Sequence, residues 1–211
     1  MAAVVVAAGQ GRRFGGPKQF STLRGETVCA RSVRAARAVA EWVVLVVPED
    51  YEGAGEGADL VVPGGATRAD SVRAGLAGCD GADVVVVHDA ARPLASPDLF
   101  LAVVAAVRAG AAGAVPGLAL TDTVKRVERE GLDTVVRATL DRDQLVTVQT
   151  PQAFDHAALS RAHAGRSDAT DDAALVEAAG GRVVVVVGEE RNLKITSLAD
   201  VARAEFLLGP T

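Results

Sequence analysis

Residues 3–19 read Ala-Val-Val-Val-Ala-Ala-Gly-Gln-Gly-Arg-Arg-Phe-Gly-Gly-Pro-Lys-Gln. The β-branched run at the start predicts a buried parallel strand that breaks directly into a glycine-rich loop. Gly9 and Gly11 have no Cβ, so the backbone there can turn sharply and bring its N–H groups close to an anion. Three cations lie beside that turn: Arg12, Arg13 and Lys18. The loop therefore suits a polyphosphate, although an ordinary strand-to-helix connection with solvated arginines would have the same spacing.

Two familiar phosphate-binding patterns do not match this loop. A Walker A motif has Ser or Thr after its lysine, whereas Gln19 follows Lys18. The third glycine of a dinucleotide-binding fingerprint falls on Phe14. The pattern that fits is Ala-Ala-Gly-x-Gly-x-Arg followed by Pro-Lys. It resembles the signature of nucleotidyltransferases that activate sugar or sugar-alcohol phosphates with a nucleoside triphosphate.

Length and composition limit the class of protein. A chain of 211 residues is long enough for one sizeable α/β domain, and we expect residues 1–211 to form it. The net charge of −5 argues against a nucleic-acid or membrane-surface partner. Cys29 and Cys79 have no metal-binding spacing and are expected to be buried thiols. The start of the chain has no basic signal-peptide region, and charge and glycine interrupt the longest apolar stretch, so a cytoplasmic protein is predicted.

Strands and helices alternate along most of the chain, which predicts a doubly wound α/β sheet. Gly65 lies in a second glycine-rich loop before a helix with Thr67 as its N-cap. The backbone of that loop and Ser71 could contact a base, or the loop could be a purely structural turn. Asp89 follows a buried strand at residues 84–87, where open α/β sheets bind ligands, and could face a metal–triphosphate complex. The adjacent His88 is predicted to be structural.

The alternation of strands and helices stops at residues 121–143, whose two short extended runs predict a β-hairpin arm. The arm has too few apolar residues to form a core alone, so a second subunit is a natural partner. Its Asp141-Arg142-Asp143 run matches a glycosyltransferase Asp-x-Asp, but it does not end an apolar strand. Residues 183–187 predict a buried strand, and Thr170 is the predicted N-cap of the preceding helix. Lys194 is one of only three lysines and follows a loop suited to phosphate, although a solvated lysine is the alternative.

The whole set of motifs resembles one family. In chain order they are Ala-Ala-Gly-x-Gly-x-Arg, Pro-Lys-Gln, Gly-Gly-x-x-Arg-x-Asp-Ser, Val-His-Asp-Ala-Ala-Arg-Pro, Asp-Thr-Val-Lys, Thr-Pro-Gln, Thr-Asp-Asp and Asn-x-Lys-Ile-Thr. Together they are similar to the 2-C-methyl-D-erythritol 4-phosphate cytidylyltransferases of the non-mevalonate isoprenoid pathway. The resemblance implies a Rossmann-like fold of the nucleotide-diphospho-sugar transferase type. It also implies a magnesium-dependent reaction of CTP with methylerythritol phosphate, which yields CDP-methylerythritol and pyrophosphate.

The resemblance also implies roles for individual residues. Arg13 and Lys18 would stabilise the transition state on the triphosphate, and Arg142 and Lys194 would position the acceptor phosphate. Asp89 and Ala90 would lie beside the ribose or the metal-bound phosphates. The cytidine nucleotide would be held by Ala7, Ala8, Gly9, Gly11, Gly65 and Ser71. The acceptor would lie near Thr123, Thr150 and Thr170. In the family the arm reaches into a partner subunit of a homodimer, so Thr123 and Arg142 would serve the neighbour's site.

Three alternatives remain at this stage. A ribitol-phosphate or other polyol-phosphate cytidylyltransferase would have the same nucleotide-binding half of the site and would differ in the residues that bind the acceptor. A glycosyltransferase of similar fold would need a metal-binding Asp-x-Asp motif at the end of an apolar strand, which Asp141-Arg142-Asp143 is not. A non-catalytic regulatory module would bind the triphosphate without releasing pyrophosphate. The loop between Arg13 and Pro17 is shorter than in many relatives, which affects how Lys18 closes on its ligand.

Overall fold

A computed structural model describes residues 1–9, 11, 14, 16–165, 169 and 171–209. The strands of this part of the chain are β1 (Ala2–Val6), β2 (Thr22–Leu23), β3 (Glu26–Thr27), β4 (Trp42–Val47), β5 (Leu60–Pro63), β6 (Val84–Asp89), β7 (Gly113–Ala119), β8 (Val124–Glu130), β9 (Asp133–Leu140), β10 (Val146–Val148), β11 (Gln152–Asp155) and β12 (Val183–Val187). The helices are α1 (Val28–Arg37), α2 (Arg68–Leu76), α3 (Pro97–Arg108), α4 (His156–Ala164), α5 (Asp172–Ala178) and α6 (Leu198–Leu208). Two short 3₁₀ turns cover Lys18–Phe20 and Arg142–Gln144.

The central sheet is mostly parallel, as the alternation of elements predicts. Its strands lie in the order β10-β7-β11-β6-β1-β4-β5, and β12 pairs with β7 in parallel. β1 pairs in parallel with both β6 and β4, whereas β11 is antiparallel to its neighbours β6 and β7. The carboxyl ends of β1, β4, β5 and β6 therefore meet at one edge, where open α/β sheets bind ligands.

Helices cover both faces of the sheet, which confirms the doubly wound α/β class. Ala3 and Val5 of β1 pack in one core cluster with apolar residues of α1 and α3. Ala2 and Val4 point to the opposite face and pack in a second cluster with residues of α2, α4 and α5. This alternation within one uninterrupted apolar strand is the expected consequence of covering a parallel sheet on both sides.

The starts of two helices test the capping predictions. Thr67 caps α2 as predicted: its side chain accepts a hydrogen bond from Asp70 N, and the Asp70 carboxylate accepts one from Thr67 N. The prediction for α5 is wrong by one residue, because the N-cap is Asp171, whose carboxylate accepts from Ala174 N. A carboxylate is as good an N-cap as a hydroxyl and adds a favourable charge to the helix dipole.

The strand at residues 183–187 is less buried than its sequence indicates. β12 is an edge strand that pairs with β7, and its Val185 and Val187 are 55% and 87% exposed. An apolar run therefore predicts the strand correctly and its environment incorrectly, since burial depends on which neighbours the fold supplies. The two cysteines, by contrast, are buried free thiols as expected. Burial raises the pKa of each to about 12.

The predicted hairpin arm is present and stands apart from the central sheet. β8 and β9 form a two-stranded antiparallel sheet of their own. Most residues of these strands and of the turn between them are exposed, including Val127, Leu132 and Val136. An isolated two-stranded sheet is marginally stable in water, so the arm requires another surface to pack against. Among the described helices, none combines the length and apolar character that a bilayer-spanning segment requires.

Candidate active site

The first glycine-rich loop is held from inside by Gln19. This side chain is buried, and its Nε2 donates to Ala7 O at 2.6 Å and to Gly9 O at 2.9 Å. Ala7 itself is anchored to the sheet by a hydrogen bond from its N–H to Val46 O. Gly11 has a φ of +60°, and a Cβ there would lie 1.8 Å from Gly16 O. The loop thus depends on glycine at position 11 and on the carboxamide that follows Lys18.

The second glycine-rich loop lies beside the first. A Cβ on Gly64 would lie 2.4 Å from the Cβ of Ala8, so the two loops touch only because this residue is glycine. Ser71 Oγ accepts from Gly65 N at 3.2 Å and donates to Thr67 O at 3.0 Å. Ser71 therefore shapes the loop from a buried position. Ala8 and Gly65 line an open cleft of about 1170 Å³ between the carboxyl ends of β1, β4 and β5.

Asp89 sits at the carboxyl end of β6 between two cations. Its Oδ2 accepts from Lys194 Nζ at 2.6 Å, and its Oδ1 accepts from Arg68 Nε at 3.4 Å. Burial alone would raise the pKa of Asp89, but the charges of Lys194 and Arg68 outweigh it and hold that pKa below its usual range. The carboxylate is therefore ionised at neutral pH. Lys194 is the more accessible partner, with 42% of its side chain exposed against 26% for Arg68.

His88 and Thr150 support the same strand end. Thr150 Oγ1 accepts from Asp89 N at 3.0 Å and lies 3.2 Å from Nδ1 of His88. The other ring nitrogen of His88 lies 3.2 Å from Arg92 O. Desolvation lowers the pKa of this fully buried imidazole to about 4, so it is neutral at pH 7. The contacts fit the structural role expected for His88. Ala90 is also buried, and its N–H donates to Val6 O.

The loop that carries Lys194 is fixed by a buried amide. Asn192 is completely buried and donates through Nδ2 to Thr150 O at 2.9 Å and to Gln149 Oε1 at 3.2 Å. The backbone carbonyl oxygen of Asn192 accepts a hydrogen bond from Nη1 of Arg92 at 2.7 Å. Ile195 N donates to Ala91 O one residue beyond the lysine. These contacts bring Lys194 to Asp89 across 105 residues of sequence.

Two residues that the sequence analysis assigned to the acceptor lie away from the sheet edge. Thr123 and Arg142 line a separate cavity of about 260 Å³ at the base of the arm. Arg142 is exposed and its guanidinium donates to the backbone oxygen of Thr121. The described contacts therefore divide the sequence-based set into two groups, one at the sheet edge and one at the arm.

Most of the remaining expected site residues gather at the sheet edge. The described contacts connect Ala7 with Gly9, Gly65 with Ser71, and Asp89 with Thr150 and Lys194. Lys18 begins the 3₁₀ turn that carries Gln19. Arg13 and Thr170 lie outside the described residues.

Sequence reasoning missed three residues of the site: Gln19, Arg68 and Asn192. In the sequence, Gln19 and Arg68 stand out only as members of motifs, and Asn192 only as part of the candidate phosphate loop before Lys194. The available signal is that each is a polar residue next to a candidate phosphate-binding position. Their actual partners are distant in sequence, so local spacing could not assign them.

The donor set at the sheet edge suits a magnesium ion that arrives with a nucleotide. Among the described residues, no group of three or more His, Cys, Asp or Glu side chains is arranged to hold a metal. Asp89 instead offers one ionised carboxylate. Mg²⁺ is commonly bound through one or two carboxylates together with substrate phosphates, and this site fits that mode.

Comparisons with known proteins agree with this geometry. The family model for IspD, 2-C-methyl-D-erythritol 4-phosphate cytidylyltransferase, matches residues 1–210. The chain is 45% identical to the curated 2-C-methyl-D-erythritol 4-phosphate cytidylyltransferase of Streptomyces avermitilis, covering 99% of this chain and 91% of that protein. It is 48% identical to the bifunctional enzyme IspD/IspF of Clavibacter michiganensis, covering 98% of this chain and 54% of that protein. The chain thus spans about half the length of its bifunctional relatives.

A solved structure gives the same assignment. The crystal structure of 2-C-methyl-D-erythritol 4-phosphate cytidylyltransferase from Thermus thermophilus superposes with a TM-score of 0.82 at 36% identity and covers 97% of each chain. The match therefore extends over nearly the whole length of both chains. The chain belongs to the 2-C-methyl-D-erythritol 4-phosphate cytidylyltransferase family.

Proposed function

We propose that the chain transfers the cytidylyl group of CTP to 2-C-methyl-D-erythritol 4-phosphate and releases pyrophosphate, a step of the non-mevalonate isoprenoid pathway. The observation that carries the proposal is the family match over residues 1–210. The geometry at the sheet edge supports it, since two glycine-rich loops and Lys194 converge beside an ionised carboxylate.

The chemistry requires no general base from the protein. The second pKa of a phosphate monoester is about 6, so the acceptor is largely ionised at neutral pH. One of its oxygens attacks the α-phosphorus of CTP in line, and the bond from that phosphorus to the β-phosphate oxygen breaks. The electron pair leaves with pyrophosphate. His88 is consistent with such a mechanism, since it is completely buried and both of its ring nitrogens face protein atoms, Arg92 O and Thr150 Oγ1, rather than substrate.

The main barrier is the repulsion between two anions, which cations reduce. In the proposed site Lys18 and Arg13 neutralise charge on the triphosphate. Lys194 meets the acceptor phosphate, with Thr150 and Thr170 nearby. The base and ribose lie against Ala7, Ala8, Gly9, Gly11, Gly65, Ser71 and Ala90. Asp89 would hold a magnesium ion that binds together with CTP, and the ion would supply further positive charge on the phosphates.

We also propose that the functional unit is a homodimer formed through the arm, with Thr123 and Arg142 completing the partner's acceptor site. Three features support it. The arm pairs with no other strand of the described chain and exposes apolar side chains. A second exposed apolar surface lies on β10 and β12, the strands on either side of β7, and consists of Val146, Val148, Val185 and Val187. Thr123 and Arg142 line their own cavity, apart from the Asp89–Lys194 pair.

The deciding experiment measures pyrophosphate release from CTP with methylerythritol phosphate and ribitol phosphate in parallel. We expect magnesium-dependent release with methylerythritol phosphate, loss of release with a chelator, and recovery when Mg²⁺ is restored. Release with ribitol phosphate alone would contradict the proposed acceptor and keep the reaction type. CTP binding without release from either acceptor would contradict catalysis and favour a regulatory module.

The role of Lys18 is tested in the same assay. We expect Lys18→Ala to reduce turnover about 10²–10³-fold, the usual effect of removing one donor that stabilises transition-state charge. The circular dichroism spectrum and unfolding midpoint of the variant show whether it remains folded. Near-normal turnover of a folded Lys18→Ala protein would contradict this assignment.

A further inference from the structure

A chain of ion-paired and hydrogen-bonded side chains runs from the sheet edge into the helical layer behind it. Beyond the Lys194–Asp89 pair, Arg68 Nη1 donates to Asp172 Oδ2 at 2.8 Å, and His163 Nε2 lies 3.0 Å from Asp172 Oδ1. These five residues come from the loop after β12, the end of β6, the first turn of α2, and α5 and α4. The chain therefore connects separate elements through side chains alone.

Asp172 is the buried anchor of this chain. It is completely buried, and its two carboxylate oxygens are taken by Arg68 and His163. His163 is 3% exposed, and among the described residues its side chain has one hydrogen-bond partner, Asp172. A buried carboxylate is tolerated only when both oxygens are satisfied. The positions of Asp172, His163 and Arg68 are therefore mutually dependent.

Arg68 is the link between this anchor and the site. Burial would lower the pKa of its guanidinium, but the charges of Asp172 and then Asp89 raise it above the usual value, so the group is always charged. Its planar fork reaches one carboxylate through Nε and the other through Nη1. A lysine ammonium, a point charge, cannot reproduce this two-sided geometry.

The two cations on Asp89 are fixed to different extents. Lys194 has no carboxylate partner besides Asp89 among the described residues, and its side chain is the more exposed. Arg68 is held from behind by Asp172. We propose that Asp172, supported by His163, is a positioning residue: it fixes Arg68 so that Asp89 keeps its place when Lys194 leaves Asp89 for the acceptor phosphate. This inference rests on the proposed function.

The test is a double-mutant cycle. Asp172→Asn keeps the shape of the side chain and removes its charge and one acceptor. We expect it to lower kcat/KM for the acceptor by about 10²-fold, the scale of a misplacement of roughly 1 Å in a reacting geometry. In an Asp89→Asn background the same change should have little further effect, because its action passes through Asp89. Asp171→Asn is the matched control, since it removes a neighbouring charge, keeps a good N-cap and does not contact Arg68 in the described structure.

Arg68→Lys keeps the inference falsifiable if Asp172→Asn does not fold. It retains the charge and should show the same loss of kcat/KM and the same non-additivity with Asp89→Asn. Calorimetric titration with methylerythritol phosphate gives a second readout, in which wild type binds at least tenfold more tightly than Asp172→Asn. Additive effects in the cycle, or an Asp172→Asn enzyme with wild-type acceptor kinetics and binding, would overturn the positioning role alone. A wild-type protein inactive with either acceptor would overturn the proposed function and this inference with it.

Discussion

Replacement of Gln19 by methionine tests how the nucleotide loop is built. The substitution keeps the volume of the buried side chain and removes both hydrogen bonds from Nε2. Gly9 is exposed, so its carbonyl can be rehydrated, at a cost of about 1 kcal/mol for the lost bond. Ala7 is buried, and its carbonyl loses a buried donor, at a cost of about 1–3 kcal/mol. The free energy of unfolding should fall by about 2–4 kcal/mol, or about 5–15 °C in Tm for a domain of this size.

The same variant should weaken the use of CTP. Because Gln19 holds the backbone that turns at Gly9 and Gly11, we expect kcat/KM for CTP to fall by about 10²-fold. Leu159→Ala in α4 is the control, since its cavity costs a comparable 2–5 kcal/mol, roughly, without touching the loop. Thermal unfolding and steady-state pyrophosphate release measure the two effects. An unchanged kcat/KM for CTP in Gln19→Met, or an equal fall in Leu159→Ala, would refute this reasoning.

Three further predictions concern the acceptor site, pH and assembly. Lys194→Ala should reduce kcat/KM for the acceptor about 10²–10³-fold in steady-state assays. The control is Arg108→Ala, on the exposed end of α3, which should change kcat/KM less than about twofold. Equal effects of the two substitutions would contradict the role of Lys194. Hydrogen bonds, that of Thr196 foremost, lower the pKa of Asp200 to about 2 from 3.8. The stability that these hydrogen bonds confer is complete above about pH 4 and is lost as the pH falls through 2. The Tm difference between wild type and Asp200→Asn should therefore shrink to roughly half by pH 3. A Tm difference that stays constant with pH would contradict this role of Asp200. Val136→Asp should convert a dimer to a monomer in sedimentation, while Leu101→Asp, equally exposed on α3, should not; a dimeric Val136→Asp protein would exclude the arm as the interface.

The sequence alone determined the class of fold and the outline of the site. The parallel strands β1, β4, β6 and β12 are short runs rich in valine, and glycine-rich or charged residues follow them. Thr67 and Asp70 show the same locality, because a capping box is complete within four residues. Such features are readable because hydrogen bonding and hydrophobic periodicity act between near neighbours. The arm was equally visible, as a change from buried runs to charged, alternating ones.

The tertiary structure decided which side chains act together. Arg68 pairs with one carboxylate 21 residues away and another 104 residues away, and Lys194 reaches Asp89 across 105 residues. It also decided that β12 is a half-exposed edge strand despite five consecutive valines. Local spacing contains no information about such pairs, because they form only after parallel strands bring the ends of distant segments to one edge. A cation next to a glycine loop could therefore be noticed in the sequence, but its partner became known only when the sheet was assembled.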